Sequence, residues 1–263
     1  MSDVLVVSCE RSGTHLMIDT LRDSFGMMYK SASSDIDYKK RNLALPDEMK
    51  SVIEKCLEDS KGNKILKSHH PFCFFEPIWD WITERLDVFY VSRDGRAVMA
   101  SQWNHFRVMD VGNLGPVTFN VGDFMRATPG GTLATRYNGT PPPFCMLTRW
   151  VDHIASWNIC GPPDVTYLRY EDDHKVTLKK MSEVTGRNPR TEKKPLVGGV
   201  TPWRGKKDTW REFFTEDDHK FFDHFARIAI DLMPENYIGI DALVAKYGIE
   251  QHEEVAQHID VQA

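Results

Sequence analysis

The segment Asp3-Val4-Leu5-Val6-Val7-Ser8-Cys9-Glu10-Arg11-Ser12-Gly13-Thr14-His15-Leu16 constrains this chain more than any other. Its apolar run reads as a buried strand, after which Leu16, Met17, Thr20, Leu21 and Phe25 fall at helical spacing. A strand, a small-residue turn and a helix start together form an anion site. The first N–H groups of the helix have no partner within it, and the helix dipole favours negative charge there. Gly13 lets the backbone approach a ligand closely. Ser12 and Thr14 add hydroxyl donors, and Arg11 adds a permanent charge whose fork fits phosphate or sulfate oxygens. A capped helix with a solvated Arg11 has the same local sequence, so these residues alone leave both readings open.

The alternation continues along the chain. Leu45 to Leu57 has helical periodicity, with Pro46 and Asp47 at its start. Lys64-Ile65-Leu66-Lys67 reads as a short strand running into Ser68-His69-His70-Pro71. Pro77 to Leu86 reads as a helix with Ile78, Trp79 and Ile82 inward, and Asp87 to Val91 as a strand. Asp94 then opens a helix toward Phe106. Strand and helix in strict alternation imply parallel pairing. Lys30 to Asn42 reads as loop. Residues 107–143 are dense in Gly and Pro, break the pattern, and read as a substrate-gating flap, with disorder as the alternative. Met146 to Ile159 reads as a helix whose Trp150, His153, Ile154 and Trp157 form a stripe of core and pocket wall. Val165 to Leu168 is a fourth strand, followed by Tyr170-Glu171-Asp172 and a helix to about Thr185. Gly186 to Asp208 is basic and irregular. Thr215 caps a last helix, to about Met233, and the polar end from Ile249 reads as a frayed tail. The expectation is one α/β domain over residues 1–263, with a central, mainly parallel sheet flanked by helices.

A chain of 263 residues can bury the core of one such domain. Its net charge of -5 excludes a general nucleic-acid binder, so any basic site must be local. The five cysteines are scattered and without metal spacing, and read as reduced thiols of a cytoplasmic protein. No apolar run reaches membrane-spanning length, and a strand this close to Met1 leaves no room for a signal peptide. The expectation is therefore a cytoplasmic protein with neither a membrane nor a nucleic acid as partner.

In a parallel sheet, ligands bind outside the carboxyl ends of the strands. Ser8 to His15, Lys67 to His70, Ser92 to Arg96 and Arg169 to Asp172 should therefore converge. The set holds Arg11, Lys67, Arg93 and Arg96 as cations, and His69 and His70 as candidate bases. So much cation at one edge of an acidic protein calls for a polyanion. The triphosphate loop, Gly, four residues, then Gly-Lys-Ser/Thr, is missing, and no acidic Mg²⁺ ligand stands at a strand end. That weighs against a kinase. A diphosphate-like ligand that needs no metal fits better.

With these motifs in place, the chain resembles the sulfotransferases that use 3′-phosphoadenosine 5′-phosphosulfate (PAPS). The family's Lys-Ser-Gly-Thr-Thr-Trp loop corresponds to Arg11-Ser12-Gly13-Thr14-His15-Leu16. Its Lys-Thr-His-Leu-Pro corresponds to Lys67-Ser68-His69-His70-Pro71. Its 3′-phosphate Arg, with a Ser eight residues on, corresponds to Arg93 and Ser101. Its Tyr-Glu-Asp matches Tyr170-Glu171-Asp172. Its late Arg-Lys-Gly and Gly-Asp-Trp are echoed by Trp203-Arg204-Gly205 and Asp208-Thr209-Trp210. The departures are Arg11 for Lys, Leu16 where a Trp stacks on adenine, and Trp203 for Arg. The family's dimer motif is unmatched around Arg211 to Lys220, where Glu216 replaces Val and Lys220 replaces Glu. The resemblance therefore implies a monomer or a different dimer.

The resemblance implies sulfuryl transfer from PAPS to a hydroxyl or amine of a small-molecule acceptor, leaving 3′,5′-adenosine bisphosphate (PAP), with no metal. His69 is then the general base, with Lys67 and Arg11 stabilising developing charge. Cofactor contacts fall to Arg11, Ser12, Gly13, Thr14, His15, Leu16, Arg93, Ser101, Tyr170, Trp203, Arg204 and Gly205. Candidates for the acceptor pocket are His70, Phe72, Phe74, Trp79, Trp103, His105, Trp150, His153 and Trp157. A small-molecule kinase and a non-catalytic adenosine-phosphate-binding protein are the rival readings.

Overall fold

The computed structural model describes residues 2–36, 46–58, 60–108, 115–130, 144–159, 164–195 and 209–231. In chain order its elements are β1 (Asp3–Ser8), α1 (Thr14–Phe25), α2 (Ser31–Ser34), α3 (Pro46–Leu57), β2 (Ile65–Ser68), α4 (Trp79–Thr83), β3 (Leu86–Ser92), α5 (Gly95–Val108), α6 (Val121–Arg126), α7 (Met146–Ile159), β4 (Val165–Arg169), α8 (His174–Thr185) and α9 (Glu216–Asp231). Tight 3-10 turns occupy Phe72–Phe74, Glu76–Ile78 and Thr209–Glu212.

All four strands are parallel, in the order β2-β1-β3-β4. The strand order reverses at β1, which makes its carboxyl end the topological switch point of the sheet. The register pairs Val7 with Ser68, Ser8 with Val91 and Ser92 with Arg169, so the strands end together. The loops that follow them are thereby brought to one edge.

Every residue of β1 is buried, as a strand covered on both faces requires. Val4 and Val6 face α1 and α8, against Leu16, Leu21, Leu178 and Met181. Leu5 and Val7 face the opposite layer, where Met49, Ile82, Val98, Phe124, Trp150 and Phe222 come from α3, α4, α5, α6, α7 and α9. The result is the expected α/β domain, helices on both faces of a parallel sheet. Among the described residues no helix is long and apolar enough to cross a membrane.

Helix boundaries follow local chemistry. The Thr215 hydroxyl accepts the Asp218 N–H at 3.2 Å while Asp218 accepts the Thr215 N–H at 3.0 Å, a reciprocal cap for α9. The segment read as an unbroken flap contains α6, capped by the Asn120 side chain on the Asp123 N–H at 2.7 Å. Val121, Phe124 and Met125 of α6 are fully buried. Six residues are too few to display a helical period in the sequence, so α6 was hidden among the glycines and prolines around it. The helix expected from Pro77 to Leu86 is shorter, with α-helix only at Trp79–Thr83 and Leu86 already in β3. Within the stretch from Lys30 read as loop lies α2. Residues 131–143, the basic segment at 196–208 and the tail from Ile249 lie outside the described residues.

Candidate active site

The loop after β1 turns on two left-handed residues, Arg11 at φ 70° and Gly13 at φ 100°. The Ser8 and Thr14 hydroxyls hydrogen-bond, tying the first helical residue back to the strand end. A Cβ on Gly13 would lie 2.3 Å from Tyr170 Cδ2, so only glycine fits beneath that ring. Arg93 lies over the Tyr170 ring, its guanidinium 4.3 Å from the ring centroid, and Nη1 donates to the Arg11 carbonyl at 2.9 Å. Arg11 Nε donates to Ser101 Oγ at 3.1 Å. Arg11, Gly13, Arg93, Ser101 and Tyr170 are thus drawn together as expected. The Ser12 hydroxyl beside them is fully buried with no partner among the described residues. A buried orphan hydroxyl in a glycine-lined turn at a helix start suits the oxygens of a bound phosphate or sulfate.

β2 supplies the other wall. Lys67 is 2% exposed, and its Nζ lies 3.3 Å from Asp35 Oδ2. Tyr29 donates its hydroxyl to the same carboxylate. His69 Nδ1 lies 2.7 Å from the Ser8 carbonyl. A carbonyl only accepts, so Nδ1 carries the proton and the ring's lone pair is on Nε2. His70 is turned inward: its Nδ1 is 2.8 Å from Ser68 Oγ and its ring centroid 4.7 Å from that of Phe74. Between the two adjacent histidines, His69 alone is placed at the loop. His15 packs edge-on to Tyr29, and burial, with Lys67 and His69 nearby, pulls its pKa down to about 4, so it is neutral.

Several expected site residues are elsewhere. Eight of the nine pocket candidates are buried: His70, Phe72, Phe74, Trp79, Trp103, Trp150, His153 and Trp157. They belong to the apolar layer beneath the site, because Trp and Phe at helical spacing satisfy the core before they can line an opening. Only His105 is partly exposed. Burial and the Arg11 charge lower its pKa to about 4. Trp150 fills the space over Gly95, where a Cβ would meet its ring at 2.5 Å. Leu16, which stands where the family's Trp stacks on adenine, is 6% exposed and packs between α1 and the sheet. Arg96 turns away from the crevice to stack on Phe222 at 4.5 Å and to pair with Asp223. Trp203, Arg204 and Gly205 lie outside the described residues.

Sequence reading missed two ion pairs. Glu10 accepts from both terminal nitrogens of Arg149, each at 2.6 Å, with both side chains 14% exposed. Burial alone would raise the Glu10 carboxyl, but Arg149, helped by His69, holds it down to about 2. The second is Asp35 with Lys67. In the sequence 139 and 32 residues separate these partners, and no local pattern marks them. The one signal was for the first pair, in which Glu10 adjoins Arg11 and Arg149 adjoins Trp150; nothing beside Asp35 marked it.

Comparison with known proteins agrees with this geometry. A family model described as "Sulfotransferase domain" matches residues 1–197. No curated protein sequence matches the chain. Among solved structures, mouse sulfotransferase SULT7A1 complexed with PAP is 18% identical with a TM-score of 0.60, covering 94% of this chain and 89% of its own. Retinol dehydratase in a complex with retinol and PAP is 17% identical with a TM-score of 0.56, covering 87% and 81%. A sulfotransferase from Alicyclobacillus acidocaldarius is 9% identical with a TM-score of 0.53, covering 92% and 98%. With a parallel sheet, a glycine turn at its switch point and three quarters of its length matched by the family, the chain belongs to the sulfotransferases.

Proposed function

We propose that this enzyme transfers the sulfuryl group of PAPS to a hydroxyl or amine of a small, weakly polar acceptor. The observation that carries the reading is His69, whose Nδ1 is held by the Ser8 carbonyl at the end of β1, beside a loop with an orphan buried hydroxyl. PAPS supplies an activated sulfuryl group that passes in line to the acceptor. Backbone N–H groups of Gly13 to His15 and the Ser12 hydroxyl hold the 5′-phosphate end, the Ser12 N–H being bonded to the Cys9 carbonyl at 3.2 Å. Arg93, Ser101 and Arg204 hold the 3′-phosphate, which distinguishes PAPS from ATP. Nε2 of His69 takes the acceptor proton as general base. Lys67, its ammonium steadied by Asp35, and Arg11 stabilise negative charge as it develops, an effect worth about 2.7–4 kcal/mol per donor at comparable sites. The retinol bound in one structural neighbour is a small alcohol of low polarity, which supports an acceptor of that class.

His69→Ala should abolish turnover while PAP still raises the melting temperature, and His70→Ala should stay active. A dead His70→Ala enzyme with an active His69→Ala enzyme overturns the base. Thermal shift with PAP against ATP-Mg²⁺ tests the cofactor: stabilisation by ATP-Mg²⁺ alone would restore the kinase reading.

A further inference from the structure

α7 approaches the loop carrying His69 from the core with three polar side chains. Trp157 Nε1–H donates to the His70 carbonyl at 3.1 Å, and Ser156 Oγ accepts the Phe72 N–H at 3.1 Å. One turn earlier, His153 Nε2 lies 3.2 Å from the His69 carbonyl, and its Nδ1 lies 3.0 Å from the Tyr90 hydroxyl. His153 is 2% exposed and Tyr90 fully buried, so neither reaches an acceptor. The His69 carbonyl only accepts, so Nε2 of His153 carries the proton; Nδ1 then accepts and Tyr90 donates. Burial keeps both groups in these forms, pulling His153 down to about 3 and pushing the Tyr90 phenol well above its ordinary value. The two imidazoles are therefore opposite tautomers: His69 protonated at Nδ1, His153 at Nε2.

We propose that His153 is a positioning residue for sulfuryl transfer: through Nε2–H, in the tautomer that Tyr90 selects, it holds the His69 carbonyl and so sets where the base stands over the anion loop. The proposal rests on His69 being the base. His69 is then fixed at two points, its ring by the Ser8 carbonyl and its main chain by His153. Without the second, the peptide joining His69 to His70 is still held at its His70 N–H by Ser68 Oγ at 3.0 Å, but its carbonyl end loses the bond to α7. A misplacement on the order of 1 Å at reacting groups can cost about 100-fold in rate.

Two substitutions separate this role from packing. In His153→Gln the amide nitrogen falls where Nε2 sits and keeps the bond to His69. In His153→Asn the amide falls where Nδ1 sits and keeps only Tyr90. With PAPS and 2-naphthol as the probe acceptor, kcat should stay within about threefold of wild type for Gln and fall about 30–100-fold for Asn, with KM for PAPS unchanged in both. Equal loss in both variants, or full activity in Asn, overturns the positioning role. His69→Ala run alongside distinguishes the failures: turnover surviving there removes the base and this proposal with it. Long-range ¹H–¹⁵N spectra of the wild-type protein saturated with PAP read both rings without any variant or acceptor. A His153 ring protonated at Nδ1 overturns the proposal whatever the kinetics.

Discussion

At the scale of single residues, the loop after β1 depends on backbone that few side chains tolerate. Gly13 combines φ 100° with Tyr170 packed where its Cβ would be. A left-handed conformation costs an L-residue about 1–2 kcal/mol before any clash. Gly13→Ala should therefore push the loop out of its binding shape and weaken PAP binding by about tenfold or more, tenfold being about 1.4 kcal/mol. Isothermal titration with PAP checks this. Adding Tyr170→Ala should recover only the part due to contact, since the strain in φ remains. Unchanged PAP affinity in Gly13→Ala would mean the loop is not the phosphate cradle. Lys67 and His69 were legible residue by residue because one lies in β2 next to its last residue, Ser68, and the other directly follows it. Asp35 was not, because its meaning comes entirely from the buried ammonium it faces.

At the scale of elements, α7 links the core to the loops after β1 and β2. Its boundaries, Met146–Ile159, coincide with those read from the sequence, because a stripe of Trp, His and Ile repeats with the helical period. Periodicity reports which face is buried and says nothing about what the buried polar atoms bond to. His153 and Trp157, read as core and pocket wall, and Ser156, which the reading did not single out, bond to the main chain of the loop after β2. The same helix carries Arg149, clamped on Glu10 of the loop after β1. Removing one member of a buried pair leaves the other unpaired, at about 3–5 kcal/mol, whereas replacing both is often near neutral. Arg149→Ala should thus lower the free energy of unfolding by about that amount, and the Glu10→Gln/Arg149→Met pair should recover most of it. Urea denaturation measures both. A single variant as stable as wild type would show that the pair contributes nothing.

At the scale of the whole molecule, buried and half-buried neutral histidines make the fold sensitive to acid. His153 titrates near 3, and His15 and His105 near 4, each below the ordinary 6.5 because burial opposes their charge. The unfolded chain takes up protons as pH drops through 6.5 while the folded protein does not, so protons favour unfolding. Stability is fully present above pH 6.5 and is lost progressively toward pH 4, continuing to about 3 for His153. Glu10 adds a second loss between its ordinary 4.5 and about 2. Melting temperature at constant ionic strength should accordingly fall between pH 6.5 and 4, with a shallower slope in His153→Gln. A flat profile over that window would contradict the burial of these rings. The parallel sheet, its strand ends and the order of the motifs were determined by the sequence alone, since apolar runs, helical periods and turn glycines are local quantities. The sequence did not decide which cations pair with Glu10 and Asp35, or which main-chain groups the aromatic and histidine stripe of α7 holds. Those depend on which distant groups meet when the layers pack, and the burial that packing creates sets their charge and tautomer.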